Sequence, residues 1–128
     1  MQSSITPMLT VGDAAAAIGF YSQAFDATER SRVETPSGQI VAEMSIDGGT
    51  FFVVDENPDA FNLSPETLGG TSVRMSLIVD DADSRTAQAI AAGATVVFAV
   101  ADQPYGLRQG RVVDPYGHHW LIGTPLTT

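Results

Sequence analysis

Cysteine is missing from this chain altogether, and basic residues are scarce: six Lys plus Arg stand against 15 Asp plus Glu in 128 residues. The first absence excludes disulfides, thiolate zinc sites and cysteine nucleophiles, so any chemistry falls to carboxylates, hydroxyls, arginine, histidine or backbone amides. The second argues against a nucleic-acid partner, because phosphate binding needs clustered cations and the formal charge is −9. Its partners should be neutral or cationic, unless the acidity serves only solubility. Long apolar runs are absent too. Nothing approaches the roughly 18 residues of a membrane span, and "MQSSITPML" lacks the basic region and apolar core of a signal peptide. No membrane partner is expected, and a cytoplasmic location follows by default. Neither "IDGGT" nor "TLGGT" has phosphate-loop spacing, and no nucleophile elbow accompanies the serines.

What is present fits one folded domain over 1–128: 44% of residues are hydrophobic and only 16% charged. The chain also repeats itself. "LTVGDAAAAIGFYSQAFDA" from Leu9 aligns with "LIVDDADSRTAQAIAAGAT" from Leu77, placing Asp13 on Asp81, and the same offset of 68 carries Phe52 onto Trp120 and Val53 onto Leu121. Each copy opens with an alternating strand, with Leu9 and Val11 on one face, then Leu77 and Val79. A helix follows each strand, N-capped by Asp13 or Asp81. Ile18, Tyr21 and Phe25 fall at helical spacing in the first helix, and Ala87, Ile90 and Ala91 in the second, before Gly93 stops it. Three strands should close each unit: about 28–34, 39–46 and 50–55, then about 95–101, 109–113 and 118–123. The pattern is therefore α+β, βαβββ twice, with module one at about 5–55, a linker or lid at about 56–70, and module two at about 71–124. The linker "DENPDAFNLSPETLGG" shows no sustained periodicity.

A doubled βαβββ unit with "MLTVGDAAAAIGFYSQAF" near its start and "YGLRQGRVVDPYGHHWLIGT" at its end resembles the vicinal oxygen chelate superfamily. That group holds glyoxalases, bleomycin resistance proteins and extradiol dioxygenases, and the final segment is most similar to its PhnB-like branch. The resemblance implies two modules forming a curved mixed sheet around a concave cleft. In metal-dependent members each module supplies one ligand from its first strand and one from its last, and those positions fall here on Thr6, Val53, Arg74 and Leu121. Two apolar side chains, one cation and one hydroxyl make a poor set for a divalent ion, which needs several N or O donors converging at about 2 Å. The expectation is a site with no metal and no cofactor.

The only histidines are His118 and His119. The first belongs to the turn after Asp114-Pro115-Tyr116-Gly117; the second begins the last strand and points to the same side as Leu121. Strand parity then assigns the concave face: Thr6, Met8, Glu43, Phe51, Val53, Arg74, Ser76, Gln109, Arg111, His119 and Leu121. It is apolar with a few convergent polar groups, as small-molecule sites are. Arg74 either anchors an anionic oxygen in place of the lost metal or pairs with Glu43 or another acid. Glu43 either accepts a proton or a cationic ligand, or pairs with Arg111 or Arg74. His119 is a general base or a hydrogen-bonded strand residue. Phe51 either stacks on a flat ligand or packs, and Trp120 belongs to the core.

Three functions remain, the third less favoured. The first is a metal-independent protein that sequesters a drug or metabolite, cationic or aromatic, in a cleft between two copies of the chain; the homodimer comes from the resemblance. The second is a metal-free lyase or isomerase with Glu43 or His119 as base and Arg74 as anion anchor. A metal-dependent glyoxalase or dioxygenase is opposed by the four ligand positions.

Overall fold

The computed structural model describes residues 1–127. Its order is β1 (Met8–Val11), α1 (Ala14–Phe25), β2 (Thr28–Glu34), β3 (Ile40–Ile46) and β4 (Gly49–Asp55); a 3-10 turn at Pro58–Ala60 and the short α2 (Pro65–Leu68); then β5 (Arg74–Ile78), α3 (Ala82–Ala92), β6 (Thr95–Asp102), β7 (Leu107–Val113) and β8 (His119–Pro125). Each βαβββ unit makes one four-stranded sheet, ordered β1-β4-β3-β2 and β5-β8-β7-β6. Both sheets are mixed, since β1 runs parallel to β4 and β5 parallel to β8 while the other pairs are antiparallel. The Asp13 carboxylate accepts from the Ala16 N–H and Asp81 from that of Ser84, satisfying amides that the first helical turn leaves free.

One aromatic cluster joins the two units. Tyr21 and Phe25 of α1 meet Phe51 of β4 and Trp120 of β8, with the Phe25 and Trp120 rings 4.5 Å apart and those of Phe51 and Trp120 5.7 Å apart. Burying each such ring stabilises the fold by roughly 1.5–3 kcal/mol. Each sheet therefore has a helix face, packed into this shared core, and an open face turned away from it. Leu9, Ala42, Met44, Val53, Val112 and Ile122 complete the packed side. The α3 face differs from its expected one: Ala82, Thr86 and Ala89 are buried, while Ile90 is exposed.

The expected register of β4 is corrected. Phe51 and Val53, expected in the cleft, are 3% and 0% exposed and belong to the core. Their strand partners agree, because Leu9 pairs with Val53, Ala42 with Val53, and Met44 with Phe51, all on the helix face. The cause is a difference in turn length. Asp47 and Gly48 alone separate the paired Ile46 and Gly49, whereas Pro115, Tyr116 and Gly117 separate Asp114 from His118, whose carbonyl accepts from the Asp114 N–H at 2.8 Å. The repeat offset is thus 68 up to that turn and 69 beyond it. A one-residue slip exchanges the two faces of a strand, so Phe51 corresponds to Trp120 and Phe52 to Leu121. Asp55 and Thr124 confirm the longer offset: each accepts from the first backbone N–H of its unit's helix, Ala14 at 2.7 Å and Ala82 at 2.8 Å.

The segment between the sheets is built from local caps. Asn57 and Asn62 form an isolated bridge, Ser64 caps α2 through the Thr67 N–H, and Glu56 Oε1 accepts from the Ser64 N–H at 2.7 Å. That bond, the largest of its causes, holds the Glu56 carboxyl below its usual pKa.

Candidate functional site

The two adjacent histidines have separate roles because they lie at a turn end and a strand start. His118 is buried; its N–H donates to Asp114 Oδ1 at 3.0 Å, and its Nε2 lies 2.8 Å from the Thr10 carbonyl on the free edge of β1. It links the second unit to the first. Asp114 organises the same corner: its Oδ1 accepts from the N–H groups of Tyr116 and His118, and its Oδ2 from Tyr21 Oη and Trp120 Nε1. Burial, and then the neighbouring Asp114 charge, push the Tyr21 phenol well above its ordinary pKa. A charge with four donors is satisfied rather than poised for reaction, so this corner is structural.

The open face of the second sheet reads in cross-strand rows. Arg74 pairs with His119, which pairs with Val113. In the next row Ser76 pairs with Leu121, Leu121 with Arg111, and Arg111 with Phe98. Arg111 also reaches diagonally, its Nε–H donating to His119 Nδ1 at 3.0 Å. Partial burial, followed by the Arg111 charge, lowers the His119 pKa from its ordinary value, a shift that favours the neutral imidazole. With Nδ1 accepting, its single proton sits on Nε2.

The first sheet's open face carries Met8, Phe52, Glu43 and Ser31 in one row, then Thr10, Val54, Val41 and Val33 in the next. Glu43 faces Arg30 at 3.9 Å and forms no ion pair with Arg74 or Arg111 among the described residues. Sequence reasoning thus brought Arg74, Ser76, Arg111, His119 and Leu121 together on one face, with Met8 and Glu43 on the other. Gln109 also lies on the second face but is 4% exposed, and its Oε1 is taken by Tyr105 Oη at 2.6 Å. Thr6 precedes β1. Phe52 and Phe98 were missed: the first through the turn-length error, the second because the register of β6 shifts between Val96 and Phe98.

With the corrected register, the four positions expected from the resemblance to face a metal become Thr6, Phe52, Arg74 and Leu121, Phe52 replacing Val53. They do not fit a divalent ion, and no group of three or more His, Asp or Glu side chains is arranged to hold one among the described residues. A groove of about 360 Å³ runs along β1 beside Met8 and Thr10, walled by Leu63, Pro65, Leu68, Val73 and His118. Its linker walls carry no periodic signal that would have marked them in sequence.

The glyoxalase-like domain family matches residues 7–122. An uncharacterized protein of Mycobacterium bovis is 44% identical over 130 residues, spanning 98% of this chain and 86% of that one. Among solved structures, an Arabidopsis thaliana gene product is 28% identical with a TM-score of 0.77, covering 96% of this chain and 99% of the other. A glyoxalase/bleomycin resistance protein/dioxygenase family enzyme from Burkholderia phytofirmans has a TM-score of 0.74 at 23% identity, with coverages of 93% and 95%, a likeness of fold.

Proposed function

As the chain belongs to the glyoxalase-like domain family, within the vicinal oxygen chelate superfamily, we propose that it is a metal-independent small-molecule binding protein that sequesters its ligand between the open faces of two copies. The observation that carries this reading is the donor chemistry at Thr6, Phe52, Arg74 and Leu121: an aromatic ring, an aliphatic side chain and a cation stand where a metal would need lone pairs. Apolar area supplied by Met8, Phe52, Val41, Leu121 and Phe98, with few polar groups among them, suits a small organic ligand. Among the described residues α1 and α3 pack only on the helix faces and α2 reaches only the β1 edge of the first open face, so a second copy would supply the remaining cover.

The test is metal content of untagged protein together with thermal shift in Ni, Zn, Mn, Fe(II) or Mg, followed by a small-molecule library and light scattering. Negligible metal, no stabilisation by any ion, ligand-induced stabilisation and a dimer at micromolar concentration are expected. A stoichiometric ion lost on His119→Ala would sink metal independence, and a monomer would sink the shared cleft.

A metal-free lyase or isomerase is the second reading. Its supporting observation is that Glu43 and Arg111 hold equivalent places on the two open faces, a carboxylate on one and a guanidinium on the other. Glu43 is the better base, since the His119 nitrogen free of Arg111 carries the proton. Turnover of a bound carbonyl compound, abolished by Glu43→Gln, would separate this reading from sequestration.

A further inference from the structure

The protein's six arginines divide sharply. Arg32 pairs with Glu29, Arg85 with Asp26, Arg108 with Asp83 and Asp102, and Arg30 approaches Glu43. Arg74 and Arg111 have no carboxylate within 4.0 Å among the described residues, although acids outnumber bases by 15 to six. Both lie on the open face of the second sheet. Arg74 sits directly across from His119 on β5, and Arg111 is bonded to the same histidine from β7.

We propose that Arg74, His119 and Arg111 form a subsite for an anionic oxygen group, a carboxylate or phosphonate, carried by an otherwise apolar ligand. The inference rests on the small-molecule reading above and reverses the ligand charge suggested by composition. Net charge describes the whole surface, whereas recognition is decided by the groups within a few ångströms. Here those groups donate only. Two guanidiniums present N–H groups and no acceptor, and the one imidazole acceptor is consumed by Arg111, which leaves Nε2–H to point elsewhere. Arg111 is therefore both a ligand contact and the residue that fixes the histidine tautomer. An ammonium would meet like charge at this strip; a carboxylate or phosphonate oxygen would meet charge-assisted donors. Leu121 and Phe98, flanking Arg111 in its own row, supply the apolar contact beside it.

The experiment is isothermal titration of the whole protein with four probes sharing one ring: phenylphosphonate, benzoate, benzyl alcohol and benzylamine. The two anions are expected to bind roughly 10-fold or more tightly than the alcohol, with benzylamine weakest. Arg74→Gln and Arg111→Gln should each weaken anion binding by about 10-fold and leave the alcohol unchanged. Arg74→Glu, at an exposed site where misfolding is not expected, should abolish anion binding even if an Arg111 variant misfolds. In ¹⁵N NMR the wild-type imidazole should carry its proton on Nε2, and Arg111→Gln should mix the tautomers. Benzylamine binding above phenylphosphonate, or anion affinity unchanged in Arg74→Glu, would overturn the subsite while leaving the small-molecule reading intact. Absence of binding by all four probes would overturn both.

Discussion

Arg111 holds His119 by its Nδ1, the Nε–H donating across the β7–β8 pair at 3.0 Å. The imidazole pKa is lowered first by burial and then by that cation. Its folded-state value therefore lies below the unfolded one of about 6.5. The linked stability is complete above pH 6.5 and is lost as the pH falls from there through the folded pKa, because the unfolded chain takes up the proton more readily. In an NMR titration His119 should titrate below 6.5. Arg111→Gln should raise its pKa part of the way, since the larger cause, burial, remains. An unchanged value would refute the contact.

Asp114 anchors the corner where the units meet, with two backbone and two buried side-chain donors on its carboxylate. Asp114→Ala leaves the Tyr21 hydroxyl and the Trp120 N–H without a partner in the core, and should cost about 3 kcal/mol or more in denaturant unfolding. Tyr21→Phe removes one donor and leaves three, so its cost should be nearer 1 kcal/mol. Equal costs would mean that the carboxylate is not the hub.

Most of the architecture was legible because it follows from periodicity and caps. Asp13, Asp81 and Gly93 stand at the helix ends, and β2 runs from Thr28 to Glu34 as its composition indicates. On β5, β7 and β8 the assignment of faces also followed from alternation, which is why Arg74, Arg111 and His119 emerged as neighbours. What alternation does not carry is the phase after a turn. "DGG" and "DPYGHH" look like equivalent hairpin corners, yet one closes with two residues and the other with three. Both end on a glycine in the left-handed region, Gly48 at φ +92° and Gly117 at +91°; aligning those two glycines, rather than Gly49 with Gly117, would have placed Phe52 on the open face. The pairing of Arg111 with His119 rather than with Glu43 is a tertiary fact, set by side-chain reach across a particular strand pair.

Those two glycines differ in their surroundings, and the difference is testable. A Cβ on Gly48 would meet nothing within 4 Å, whereas on Gly117 it would lie 2.7 Å from Pro65 Cβ, where α2 packs on the turn. Gly48→Ala should show only the backbone penalty, about 1–2 kcal/mol. Gly117→Ala should cost at least about 1 kcal/mol more, because a proline ring cannot swing aside. Similar unfolding midpoints for the two variants would show that the linker does not seat against this turn.

Phe51 and Phe52 provide the sharpest test of the β4 register, since adjacent residues of one type lie on opposite faces. Phe51 is 3% exposed and meets Tyr21 and Trp120 edge-on at 5.5 and 5.7 Å. Truncation there opens a cavity against rigid aromatic neighbours, so Phe51→Ala should cost about 3–5 kcal/mol in chemical denaturation. Phe52 pairs with Met8 and Glu43 outside the shared core and is half-buried, so Phe52→Ala should cost less than about 1.5 kcal/mol. Its effect should appear in binding instead, as a loss of affinity for an aromatic probe such as phenylphosphonate, because the ring lines the proposed cleft. Measuring both properties on both variants separates the two faces. A reversed outcome, with Phe52 decisive for stability and Phe51 for binding, would move the whole strand by one residue and return Val53 to the cleft.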